Sequence, residues 1–161
     1  MVYLDYSATT PVLPEVLDTF NKVSTTYFGN PNSLHRLGVE AKEVIDASTS
    51  QIADILGIKS NEIIYTSGAS EANNTAIMGI VSRYSNRGHH IITTRLEHSS
   101  IIAPLSYLEN NGYDVSFVPL DENGLVSIDE LSKLIRDDTI LVSISFVNSE
   151  VGVIQNIEEI G

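Results

Sequence analysis

Three short polar runs hold the residues best suited to chemistry in this sequence. The first, Ser67-Gly68-Ala69-Ser70, follows the apolar stretch Ile63-Ile64-Tyr65-Thr66. A helix opening at this turn leaves the amides of Ala69 and Ser70 unpaired, and its dipole adds partial positive charge there. Gly68 removes a side chain where a ligand must approach the backbone, and the Ser70 hydroxyl adds a donor. The combination suits a phosphate group. An ordinary strand-to-helix turn capped by Ser67 would use the same residues. Familiar alternatives are absent: there is no Gly-x-Gly-x-x-Gly and no Walker lysine after the turn. Ala72 stands where a nucleophile elbow needs its second glycine.

The second run is Arg95-Leu96-Glu97-His98-Ser99-Ser100. His98 could stack on a flat ring or move a proton, because an imidazole titrates near neutrality. It could equally cap a helix. Glu97 could orient the ring from behind or simply favour a helix N-terminus. The third run is Val147-Asn148-Ser149-Glu150-Val151-Gly152. The Asn148 amide can hydrogen-bond a ligand oxygen without adding charge, although asparagine is also an ordinary turn residue. His89-His90 lacks the spacing of a paired metal site on a helix. His35 reads as a surface or capping residue, and no Cys or His cluster supports a structural zinc.

These runs need a frame to bring them together. Pro14 and Glu15 open a first helix, carried on by Val16, Leu17, Phe20 and Val23. A loop at Gly29-Asn30-Pro31-Asn32 ends it. A longer helix is expected over about 33–56, closed by Gly57. Strand and helix then alternate. Strands are expected at 62–66, 90–94, 114–118 and 139–146, with helices over 71–84, 99–109 (with a possible bend at Pro104) and from a Ser127-x-x-Glu130 capping box to about Arg136. The last strand is almost continuously apolar, as if buried on both faces. This alternation predicts an α/β fold with a largely parallel sheet and flanking helices. Ligands of such sheets bind at the carboxyl ends of strands, which is where all three polar runs fall.

Bulk properties narrow the function further. The 161 residues are 42% apolar and 19% charged, which fits a globular domain with its own core. The net charge is −12 and the nine basic residues are scattered, which argues against direct nucleic-acid binding and against a membrane surface. No stretch approaches the roughly 20 apolar residues that span a bilayer. The absence of cysteine excludes disulfides and a cysteine nucleophile within these residues. With no secretory signal in the first residues, a cytoplasmic protein is expected.

Taken in order along all 161 residues, the motifs resemble those of the cysteine desulfurases, pyridoxal-phosphate (PLP) enzymes of fold type I in the class V aminotransferase group. The resemblance rests on Tyr3-Leu4-Asp5-Tyr6-Ser7-Ala8-Thr9-Thr10-Pro11, on Phe28-Gly29-Asn30-Pro31-Asn32-Ser33-Leu34-His35, and on the three polar runs. The Ser-Gly-Ala-Ser-Glu form is similar to the NifS/IscS branch. The resemblance implies that Ala69 and Ser70 hold the PLP phosphate. It implies that His98 stacks on the pyridine ring and assists proton transfer. Asn148 would bond the phenolic oxygen and approach the substrate carboxylate. Two positions depart from the family pattern: Ser70 replaces a usual Thr and Ser149 a usual Asn.

The resemblance also implies an incomplete, N-terminal part of an aspartate aminotransferase-like enzyme. Residues 1–14 would form an arm, 15–57 a helical segment packing on the sheet and small domain, and 58–161 the first part of the large PLP-binding domain. The Asp, Gln and Schiff-base Lys of the family would lie beyond Gly161, as would the persulfide Cys. Lys22, Lys42, Lys59 and Lys133 match no Schiff-base position. The implied reaction turns L-cysteine into L-alanine and passes sulfur to a protein persulfide. The chain alone is expected to be inactive. A homodimer and a sulfur-acceptor protein, such as an iron–sulfur scaffold, are the implied partners. A selenocysteine lyase or another class V enzyme fits the same motifs, and a non-catalytic α/β binding module is the reading from outside PLP chemistry.

Overall fold

The computed structural model describes residues 2–161, which fall into two compact units divided between Tyr65 and Thr66. The first unit is helical. Helix α1 (Pro14–Thr26) starts with Pro at its first turn, where a missing N–H costs nothing, and Glu15 adds a favourable charge. Helix α2 (Arg36–Leu56) begins later than its apolar pattern suggests. His35 is its N-cap, and the ring Nδ1 accepts the Gly38 amide at 3.3 Å. Gly57 closes it in the left-handed conformation (φ 67°), donating its amide back to the last turn.

The expected strand over 62–66 does not form. Ser60–Glu62 is a single 3-10 turn, and the residues from Ile63 to Thr66 join no ladder. Ile63 does have extended backbone angles, as its β-branched neighbours favour. A strand needs a neighbour to take its hydrogen bonds, however, and no described residue pairs with this one.

The second unit is built on three parallel strands: β1 (His90–Thr93), β2 (Asp114–Phe117) and β3 (Thr139–Ser143), in the order β2-β1-β3. Helices α3 (Ala69–Tyr84), α4 (Ser99–Asn110), α5 (Ile128–Leu134) and α6 (Ile157–Ile160) complete it. Parallel neighbours require crossover connections, and α4 and α5 lie in those connections. Ile91 and Ile92 point to opposite faces of the sheet. Ile91 packs with Ile77 and Val81 of α3 and with Leu105 and Leu108 of α4. Ile92 packs with Val118, Val126 and Leu131. Both isoleucines are completely buried, and each contributes about 1.5–3 kcal/mol by leaving water.

The strand buried on both faces is therefore β1 and not β3. Every residue of β1 is buried, whereas β3 is half-exposed and Val142 faces solvent. Composition suggests the reverse because β3 is the more apolar, but β1 holds the central place and β3 an edge. The centre also holds a polar group. His90 is fully buried, with Nδ1 at 2.7 Å from Thr139 Oγ1 and Nε2 at 2.9 Å from Ser116 Oγ. One imidazole thereby ties all three strands together, from the first residues of β1 and β3 to the middle of β2. Gly88 lies just before it, and a Cβ there would collide with the backbone of Asp138.

Capping follows the local signals only in part. Ser127 Oγ accepts the Glu130 amide at 3.4 Å. The reciprocal arm of the capping box is missing, because Glu130 pairs with Lys133 and the Ser127 amide goes to Pro119. Helix α4 runs through Pro104 without ending.

Candidate functional site

Helix α3 opens directly at the expected anion-binding turn. Gly68 is its N-cap and carries no side chain to fold back on the first amides. The amides of Ala69 and Ser70 have no protein acceptor among the described residues. Ser67 does not cap the helix. Its amide and hydroxyl both donate to Glu71 Oε2, at 2.6 and 2.7 Å. Those bonds hold the Glu71 carboxyl below the ordinary glutamate pKa, the backbone bond contributing most. They also occupy the one carboxylate that would otherwise compete for the free amides. A methyl group at Gly68 would meet no atom within 4 Å, so the space beside this turn is open.

His98 caps α4, and its Nδ1 accepts the Ser100 amide at 3.1 Å. The ring itself is exposed. It shares a cleft of about 160 Å³ with Arg95, Asn148 and the turn that follows Asn148. Asn148 is half-buried and largely committed. Its Oδ1 accepts the amides of Glu150 and Val151 at 2.9 Å, and Nδ2 donates to Leu96 O at 2.7 Å. An amide nitrogen carries two hydrogens, so a single N–H is left for a ligand.

Glu97 does neither of the things its position next to His98 suggests. Its carboxylate is buried and turned across the sheet end, away from a role behind the ring. Oε1 accepts from Thr94 Oγ1 at 3.0 Å and from the Ser145 amide at 2.9 Å, while Ser145 Oγ donates to Oε2. Glu97 thus ties the end of β1 to the segment leaving β3. The Asn148–Leu96 bond does the same one step further on. Together they set the floor of the cleft.

The structure brings His98 and Asn148 into one cleft and places Ser70 in another, a groove of roughly 660 Å³ between α3 and α4 that also includes Ser99 and Ser100. The link between the two is a hydrogen bond between helices: Asn73 Nδ2 donates to Ser100 Oγ at 2.9 Å. Helix packing, and not pairing between neighbouring strands, puts the phosphate-type turn beside the His98 helix. Sequence reading gave Asn73, Ser100 and Ser145 no role. Asn73 stands three residues after Ser70, on the same helix face, and that spacing was the available signal. Nothing local marks Ser145, whose partner lies 48 positions away.

A curated relative named cysteine desulfurase IscS, from Methanosarcina thermophila, is 46% identical over 160 residues, covering 99% of this chain and 40% of the relative. Among solved structures, a NifS-like protein superposes with a TM-score of 0.95 at 38% identity, covering 99% of this chain and 44% of that one. A structure described as SspA in complex with cysteine gives a TM-score of 0.91 at 37% identity, covering 98% of this chain and 46% of that one. The chain thus spans about 40% of the length of the curated relatives it matches. The sequence model of the class-V aminotransferases matches residues 2–161, and the chain belongs to that family.

Proposed function

We propose that this chain is part of a PLP-dependent cysteine desulfurase, which converts L-cysteine to L-alanine and leaves the sulfur as a protein persulfide. The observation that carries the proposal is the donor set of the second unit. The free amides of Ala69 and Ser70, with the Ser70 hydroxyl, suit the oxygens of a phosphate dianion. The exposed ring of His98 suits a planar heterocycle, and the remaining N–H of Asn148 suits a phenolic oxygen or a substrate carboxylate, one at a time. These residues fit the phosphate and ring of PLP. When bound, PLP supplies the electron sink that amino-acid chemistry of this kind requires.

This chain's own residues then have separate tasks. Ala69 and Ser70 fix one end of the cofactor. The bonds from Ser67 hold the Glu71 carboxylate back from that end. His98 covers the ring. Asn148 orients an oxygen and is itself held by three bonds, two accepted from its own turn and one donated to the Leu96 carbonyl. Lys133, the one lysine of the second unit, pairs with Glu130 and lines neither the cleft nor the groove. The covalent anchor for the cofactor and the persulfide cysteine are assigned to the remainder of the longer protein.

No helix among the described residues is long and apolar enough to cross a membrane. A cytoplasmic homodimer, passing sulfur to an acceptor protein such as an iron–sulfur scaffold, completes the proposal. The test uses the full-length protein from the same gene, purified with PLP and given L-cysteine. Alanine and protein-bound persulfide should form in equal amounts. Ser70→Ala should weaken PLP binding by about tenfold, the worth of one hydrogen bond to a charged group. A full-length protein that binds PLP yet yields no alanine from cysteine overturns the reaction. One that binds no PLP overturns the cofactor.

A further inference from the structure

We infer that Asn73 and Ser100 form a positioning relay that holds neutral His98 with its proton on Nε2. The inference rests on the placement of His98 at the proposed cofactor ring, and it adds which face of the imidazole chemistry is presented there.

Two donors converge on Nδ1. The Ser100 amide donates to it at 3.1 Å, and the Ser100 hydroxyl lies 2.8 Å from it. An amide N–H can only donate, so Nδ1 must offer a lone pair. The hydroxyl could point either way. Asn73 decides the direction: its Nδ2 donates to Ser100 Oγ at 2.9 Å, which leaves the serine hydrogen free to turn toward Nδ1. Ser100 is buried, and its hydroxyl has Asn73 and His98 as its side-chain partners among the described residues. With Nδ1 accepting, the single proton of neutral imidazole sits on Nε2. Nε2 has no protein partner among the described residues.

A capping histidine needs only the Ser100 amide. The second bond comes from a buried hydroxyl whose orientation is set by a side chain of a different helix, and capping does not require it. The chemical consequence is specific. His98 offers a ligand an N–H donor at Nε2 and has no lone pair free there, and Nδ1 is enclosed by Ser100. Asn73 and Ser100 are positioning residues, acting only through His98.

The test reads the tautomer directly, from the ring 15N resonances of His98 in the intact 161-residue chain labelled at histidine, above the pH at which imidazoles protonate. Two widely separated resonances with the hydrogen coupled to Nε2 are expected. In Ser100→Ala the two should move toward each other, as a mixed tautomer does, while Ser100→Thr restores the separation. Asn73→Asp should have the stronger effect, because a carboxylate accepts the serine hydrogen and turns an oxygen lone pair toward Nδ1. A hydrogen found on Nδ1 in the unaltered chain overturns the inference, and that measurement needs no variant. Resonances unchanged in both Ser100→Ala and Asn73→Asp, with circular dichroism showing that both fold, overturn it as well. The readout is independent of cofactor. The PLP proposal can therefore fail in the full-length protein while the tautomer stands, and the tautomer can fail while PLP binds.

Discussion

The two units use apolar residues in opposite ways. In the first unit, α1 has the helical periodicity of an amphipathic helix, yet none of its residues is buried, and Phe20 is 66% exposed. In the second, Ile91, Ile92 and Leu105 are sealed between sheet and helices. Periodicity is a local property, while burial requires a second surface. The first unit has caps and hydrogen bonds along the chain, and among the described residues it buries only the small residues Gly38, Ala41 and Ala53 of α2, so it takes little of its order from a core. The second owes it to a core, and that core is what holds the polar groups of the site in fixed positions.

That contrast can be broken experimentally. The largest effect should come from Ile91→Ala, which leaves a cavity in a closed core and should cost about 2–5 kcal/mol. Phe20→Ala should stay within about 0.5 kcal/mol. Urea unfolding followed by circular dichroism compares them, and equal costs would mean that Phe20 of α1 is packed as closely as Ile91. Next comes Glu97→Ala, which takes the acceptor from the buried Thr94 hydroxyl and from the half-buried Ser145 amide and should cost about 1–3 kcal/mol. Hydrogen exchange should then quicken from Ser145 to Asn148, the floor of the cleft. In the first unit the sharpest response should follow Gly57→Ala. The new Cβ meets no atom, so only the left-handed backbone angle is penalised, by about 1–2 kcal/mol, with faster exchange confined to the end of α2.

The smallest effects should come from protons. Burial, with the positive charge of Arg136 second, pushes the His90 pKa below its ordinary value, and Asp114 and Asp138 partly offset the shift. Unfolding then takes up a proton between the lowered value and about 6.5. Stability should decline as pH falls through about 6.5 and level off once folded His90 has titrated. In His90→Gln that decline should vanish from the pH dependence of unfolding. Glu71 behaves as a lowered carboxylate. Its bonds to Ser67 add stability above the ordinary glutamate pKa, and that contribution is lost as pH falls through the lowered folded value. Amide exchange at the start of α3 should rise there, and Ser67→Ala should lessen the rise, because it removes the hydroxyl arm of the clamp and leaves the larger backbone arm in place.

The sequence by itself determined the elements whose signals lie within a turn or two of chain. Pro14 and Gly57 mark helix ends, Gly112 and Gly124 make turns with positive φ, and the alternation after residue 88 specifies parallel strands. It also placed the Ser67 run at the start of a helix and the Arg95 run between the end of β1 and the start of α4, because those positions follow from the order of elements. The tertiary structure decided everything that depends on partners distant in the chain. It left Ile63–Thr66 without a ladder and made β1 the buried strand. It sent Glu97 to Ser145 and Asn148 to Leu96, and it joined Asn73 to Ser100 across 27 residues. The reason is physical. A cap or a turn is satisfied by neighbours along the chain, whereas a buried donor or acceptor takes whichever partner packing brings within about 3 Å.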